Sequence, residues 1–220
     1  MTTSLDKTSD VPLAPSRDSA VDRRVVVPYV TSWSEEEDPP YELVERRGFG
    51  LAYADETLAD RDRRGVLWQR AGFGPGRGRP EFGKVHPLRQ RRAMLRLLCQ
   101  VCGGPADRTE DGVLWLFLDD RDDWPGWPEN VAETEPPVCL ACVRTSVRLC
   151  PALRRGAVAV RARRFPVAGV YGAVYRAGSS GPVAMRDGRI AFDDPAIRWV
   201  HATRLIRELH ECAIVPLAQL

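Results

Sequence analysis

Lysine is almost absent from this chain: Lys7 and Lys84 are the only two, and arginine supplies the rest of the 32 basic residues. An arginine-dominated set suits a GC-rich coding sequence, and it also suits fixed bidentate contacts to phosphate or carboxylate. Against 30 acidic residues the formal net charge is only +2, too small a field to draw the whole molecule to nucleic acid or to an anionic membrane. Long hydrophobic runs are missing as well. None approaches the roughly 18 to 20 apolar residues of a membrane helix. Met1 to Ala20 is rich in Ser, Thr, Asp and Pro and lacks the basic start and apolar core of a secretory signal, so a cytoplasmic chain without a membrane partner is expected. In that compartment six cysteines point away from a disulfide framework and toward metal ligation or buried thiols.

The cysteines are unevenly placed. Cys99-Gln100-Val101-Cys102-Gly103-Gly104 has two thiols on a tight turn, with glycine following so that backbone amides can bend toward the sulfurs. Cys139-Leu140-Ala141-Cys142 follows Pro136-Pro137 and opens the helix-compatible stretch Val143 to Leu149. Two such pairs complete a tetrahedral ligand set, so Cys99, Cys102, Cys139 and Cys142 are expected to hold one structural zinc. The competing reading is two redox or buried pairs, but a redox pair normally stands alone behind a strand. Cys150 and Cys212 are expected to be core thiols. The order of knuckle, strand (Val113 to Leu118), loop and Cys pair at a helix N-terminus resembles a treble-clef zinc finger.

Histidine is scarce, and its placement excludes more. The same scaffold resembles that of HNH nucleases, which need a histidine between the pairs to activate water. Here none occurs from Cys99 to Cys150; His86, His201 and His210 are the only three. Asp119 to Asp123 reads as a solvated loop beside Trp124 and Trp127 rather than as a magnesium site. Gly78-x-x-x-x-Gly83-Lys84 nearly spells a phosphate loop, but Val85 stands where Ser or Thr should hold the metal. The glycines from Gly72 to Gly78 lack the flanking strand and helix of a dinucleotide site. There is no Gly-x-Ser-x-Gly elbow. Nothing argues positively for catalysis, and a non-enzymatic protein is expected.

Internal repeats are also lacking, and the expected organisation is α+β, with mainly antiparallel strands around the finger. Residues 1–24 read as a flexible arm, 25–76 as a β-rich part, 77–156 as the zinc-finger region and 157–220 as a strand and hairpin plus a helix. Strands are expected at Val25 to Val30, Tyr41 to Val44, Val66 to Gln69 and Ala157 to Arg163. Gly72 to Gly83 reads as an irregular boundary. Pro87 should open a helix packed through Leu88, Leu95 and Leu98, with its arginines outward. Asp187-Gly188 signals a hairpin turn. Asp194-Pro195 should cap a last helix with Trp199, Ala202, Ile206, Leu209 and Ala213 on one apolar stripe.

The basic residues cluster. Arg77, Arg79, Lys84, Arg89, Arg92 and Arg96, with Arg91, face the single acid Glu81, and a second group comprises Arg154, Arg155, Arg161, Arg163 and Arg164. Side by side they would form a surface for phosphate or for an acidic protein. The block from Arg79 to Arg161, including Arg79-Pro-Glu-Phe-Gly-Lys-Val-His-Pro-Leu, Cys99-Gln-Val-Cys-Gly-Gly-Pro-Ala-Asp and Asp122-Asp-Trp-Pro-Gly-Trp-Pro, resembles small proteins of actinobacteria and their temperate phages. In that setting it is similar to recombination directionality factors. The resemblance implies a protein that contacts a large serine integrase and promotes excision, with DNA approached mainly through that partner. The alternative is a nucleic-acid-processing enzyme on an HNH-like scaffold with a relocated or degenerate active site.

Overall fold

The structure, a computed structural model, describes residues 25–220; the expected N-terminal arm lies outside the described residues. Among them the chain is α+β, with mostly antiparallel strands and two α-helices. No helix there is long and apolar enough to cross a membrane. Strand β1 (Thr31–Trp33) waits for a distant partner, while β2 (Leu43–Arg46) and β3 (Gly50–Tyr53) form a hairpin. The short β4 (Leu67–Trp68) is followed by β5 (Pro80–Val85), which pairs antiparallel with β1. Helix α1 (Pro87–Arg96) leads to the first cysteines, then β6 (Arg108–Thr109), β7 (Gly112–Leu118) and β8 (Val131–Glu133). Helix α2 (Leu140–Leu149) carries the second pair. The chain closes with β9 (Ala157–Arg164), β10 (Val167–Arg176), β11 (Val183–Ala191) and β12 (Val200–Val215).

The long β12 is the spine. Strands β9 and β10, separated only by Phe165 and Pro166, both run antiparallel to it. Proline offers no N–H to a ladder, so the partner strand breaks there. Beyond the break β9 pairs with β7 and β10 with β11. Opposite β10, the other edge of β12 receives β4 at His201 and Ala202 and β8 from Arg207 to Leu209. Strand pairing therefore crosses the expected boundary at Gly72 to Gly83: β1 joins β5, and β4 joins β12.

Three expected elements are corrected. The last helix is absent: Asp194 does cap a turn, accepting from the Ala196 amide at 2.8 Å, but only a 3-10 turn, Pro195–Trp199, follows before β12 begins. Partners along both edges of β12 satisfy its backbone, and this tertiary pairing overrides a helical stripe that local sequence would allow. Asp187 and Gly188 lie inside β11, opposite Ala173 and Gly172. The turn instead falls in Ala177-Gly-Ser-Ser-Gly-Pro182, whose composition is the stronger turn signal. Val25 to Val30 is not a strand; pairing begins at Thr31.

Helix α1 starts where expected, with Pro87 at its first position and the His86 ring accepting from the Arg89 amide at 3.4 Å, but it ends at Arg96, before Leu98, with Leu97 closing it in the left-handed region at φ 52°. Its facing departs from the expected one at the leucines and Arg89, while Arg92 and Arg96 are exposed as expected. Leu88 and Leu95 are 42% and 53% exposed, while Arg89, Gln90, Ala93 and Met94 are buried. Burial of these polar residues is compensated by hydrogen bonds, although Arg89 Nε is left without a partner. The Gln90 amide donates to the carbonyls of Thr134 (2.6 Å) and Leu205 (2.9 Å) and accepts from the Leu205 amide, locking α1 onto β12. Arg89 forks onto Glu36 at 2.6 and 2.7 Å and also donates to the Thr31 carbonyl. Glu36 further accepts from the amides of Trp33 and Gly74.

Burial alone would raise the Glu36 carboxyl, but the Arg89 fork and the two amides prevail and hold it at about 2, below its ordinary 4.5. A depressed carboxyl stabilises the fold fully above its ordinary value and loses that contribution as pH falls toward the folded one. The urea-denaturation advantage of wild type over Glu36→Gln should therefore be constant near neutrality and shrink as pH drops from about 4.5 toward 2. Arg89→Met, which strands the carboxylate, should cost on the order of 3–5 kcal/mol at pH 7.

Candidate metal centre

The first pair sits where α1 ends. After the left-handed turn at Leu97, the Cys99 amide donates to the Gly104 carbonyl at 2.7 Å and the Gly103 amide returns to the Cys99 carbonyl at 2.8 Å. This closes a tight loop that aims both thiols the same way. Gly103 has φ +72°, and a Cβ there would lie 2.8 Å from the Tyr29 ring, so the residue serves both the turn and the close approach of the ring. Tyr29 and Val30 strap the loop from outside, donating their amides to the carbonyls of Val101 and Gln100 at 2.9 and 3.2 Å.

The second pair sits where α2 begins. Cys139 is its N-cap residue, and Cys142 lies in the first turn. Val143 on the same turn is buried with Cys99, Leu114, Leu116, Val138 and Ala159, so apolar packing sets the orientation of the helix. Three backbone links hold the two pairs together. The Gln100 amide donates to the Pro137 carbonyl at 3.0 Å, Val138 donates to Leu114 at 2.9 Å, and Asp107 donates to Val138 at 3.0 Å.

The sulfurs of Cys99, Cys102, Cys139 and Cys142 all lie within 4.8 Å of one another. No disulfide joins them, and the Cys102 and Cys139 sulfurs stand 3.8 Å apart, far beyond a covalent separation of about 2.05 Å. Cys99 is fully buried and Cys102 is open to solvent. Burial pushes the Cys99 thiol up. Cys142 is raised by burial and by the neighbouring cysteines. For Cys102 burial opposes ionisation, but the Gly104 amide and the adjacent thiols outweigh it and lower the group. Amides aimed at sulfur, including Val101 to Cys99 at 3.4 Å, and a helix N-terminus behind the second pair are features that stabilise thiolates. The four residues fit a four-coordinate metal ion.

Cys150 ends α2, half-buried and outside the cluster. Cys212 lies on β12 rather than on a helix, packed beside Leu209 and Val160, and burial pushes its thiol up to about 12. The Asp119 to Asp123 segment is a loop in which Arg121 forks onto Asp119 at 2.7 and 2.8 Å, while Trp127 is buried edge-on to Phe117.

The expected basic surface is thinner than its sequence. Arg77, Arg79, Lys84, Arg92 and Arg96 are exposed, with Arg77 3.6 Å from Glu35 and Lys84 3.5 Å from Glu81. Arg89 must be removed from it, because it is buried and neutralised by Glu36. In the second group Arg161 is buried against Asp107, Arg163 pairs with Asp111 at 3.0 Å and Arg164 with Glu211 at 3.6 Å. Sequence reasoning also missed a buried polar contact outside the metal cluster, Tyr53 Oη to His201 Nε2 at 2.6 Å. Burial holds that imidazole down at about 4, so it is neutral near pH 7. No protein-family model, curated protein or solved structure matches the chain.

Cys99→Ser and Cys142→Ser should each abolish bound metal in elemental analysis of the purified chain and lower its thermal midpoint, whereas Cys150→Ser should leave the metal content unchanged. Metal loss in Cys150→Ser would move the ligand set. Gly103→Ala should destabilise by roughly 1–2 kcal/mol, since a methyl at positive φ meets the Tyr29 ring.

Proposed function

We propose that this chain is a zinc-stabilised, non-enzymatic adaptor or regulatory protein that acts by contact with another protein, with DNA approached mainly through that partner. The observation that carries this reading is the closed set of four cysteine sulfurs. A tetrahedral zinc thiolate with bonds of about 2.3 Å has sulfur–sulfur edges of about 3.8 Å, the spacing between Cys102 and Cys139. Four-sulfur coordination suits zinc best among common intracellular ions and leaves no open position for a substrate or an activated water. The order of knuckle, β6–β7 hairpin and cysteine-bearing α2 supports a treble-clef-like finger.

The histidines favour a binding role over hydrolysis. His86 Nε2 is 2.7 Å from the Gly72 carbonyl, His201 meets Tyr53, and His210 Nδ1 is 3.0 Å from Asn130. The likeness to recombination directionality factors makes a serine integrase the first partner to test. Arg161, Arg163 and Arg164 each pair with a carboxylate, which weakens a purely electrostatic grip on DNA, although Arg154 and Arg155 of the same group stay exposed.

Affinity purification of the full chain from its native host should recover a protein partner, and recovery of nucleic acid alone would contradict the reading. Metal analysis of protein purified without chelator should find one zinc per chain. Incubation with plasmid or oligonucleotide and magnesium, manganese or zinc should yield no cleavage; cleavage lost in Asp120→Ala would favour the enzyme alternative. If Arg92 and Arg96 instead grip phosphate, log K for duplex DNA should fall with log salt by about 0.9 per contact, and each Arg→Ala should flatten that slope.

A further inference from the structure

The facing of α1 leaves an unexplained surface. Leu88 and Leu95 are exposed where a helix of this composition would normally bury its leucines. Leu88 lines a groove of about 460 Å³ together with Tyr29, Trp33, Phe73, Pro75 and Arg92. Phe73 is 73% exposed, an apolar ring held at the mouth of the groove rather than in the core. Apolar surface displayed in a concavity, rimmed by polar residues, marks an interaction site.

The groove is built rather than incidental. Arg89 contributes to its lining, and Glu36, paired with Arg89, fixes the loop carrying Phe73 and Pro75 by accepting from the Gly74 amide at 3.1 Å. One wall, Tyr29, rests on Gly103 of the cysteine loop and donates its backbone amide to Val101. On the helix side the rim is positively charged. Helix α1 contains no acidic residue, and Arg92 and Arg96 follow Leu88 at intervals of one helical turn, on the same face. Arg92 also touches the Tyr29 hydroxyl at 3.1 Å, which seats its guanidinium at the groove.

We propose that this groove is the docking site for an acidic peptide segment of a partner protein, with a large apolar side chain seated between Phe73, Trp33 and Leu88 and carboxylates facing Arg92 and Arg96. This inference rests on the reading of the chain as a protein-binding adaptor and names where and what it binds. Single-stranded nucleic acid fits less well. It needs a continuous cationic track along its backbone, and Arg89 is neutralised while Arg77 and Lys84 each stand near a carboxylate.

The test uses the full chain with its metal, panned against a random peptide display library, with enriched peptides remeasured by fluorescence anisotropy. Enriched sequences should combine Phe, Trp or Leu with at least two nearby carboxylates. Phe73→Ser, Leu88→Ser and Arg92→Glu should each weaken them about tenfold or more, with metal content and thermal midpoint unchanged, because all three side chains lie at the surface. Absence of enrichment, a neutral or basic consensus, or binding indifferent to these variants would overturn the proposal. Tighter binding of oligo(dT) than of any peptide, lost in the same variants, would assign the groove to nucleic acid and overturn it too. A host partner that holds the variants as tightly as wild type would remove the groove while leaving the adaptor reading in place.

Discussion

The two cysteine loops lie far apart in the sequence, yet the sulfurs of both converge within 4.8 Å. Four thiols that close to one another would repel if ionised, and a cation bound between them would offset that repulsion and tie the two loops together. Much of the middle of the molecule is arranged around this convergence. The end of α1, the start of α2 and the β7 edge at Leu114 meet through backbone hydrogen bonds that presuppose the loops are in register. The apolar cluster of Cys99, Leu114, Val138 and Val143 then shields the buried side of the site. An ion bound here would add to that packing by tying the two loops together.

A second constraint meets the first at α1. The helix is fixed at its C-terminal end by the cysteine loop, along its length by Gln90 and Arg207 binding across to β12 and α1, and near its start by Arg89 and Glu36. Burying two opposite charges gives little net stability in itself. It gives orientation instead: only one rotation of α1 satisfies Arg89, Gln90 and the Cys99 turn at once. That rotation turns Leu88, Arg92 and Arg96 outward, so the surface available to a partner is a consequence of how the polar interior is satisfied.

The four-cysteine cluster was legible in the sequence because ligand chemistry is local: residue type, the two-residue spacing and the following glycine state the turn directly. The same holds for the start of α1, the strand at Val113 to Leu118, the strand at Ala157 to Arg163 and the helix after Cys142. What was not legible depends on distant partners. The rotation of α1 was misjudged because nothing near Arg89 or Gln90 reveals Glu36, Thr31 or Leu205. The stretch from Val200 to Val215 carries apolar residues compatible with either period, and only the strands on its two edges decide for β. Asp187-Gly188 looked like a turn until Gly172 and Ala173 were found opposite it in the ladder.

X-ray absorption at the zinc edge, recorded on the full chain purified without chelator, tests the central claim most directly. The account predicts one zinc per chain with a first shell of four sulfur atoms at about 2.3 Å. A first shell containing nitrogen or oxygen, or a chain that folds with no zinc bound, would contradict it.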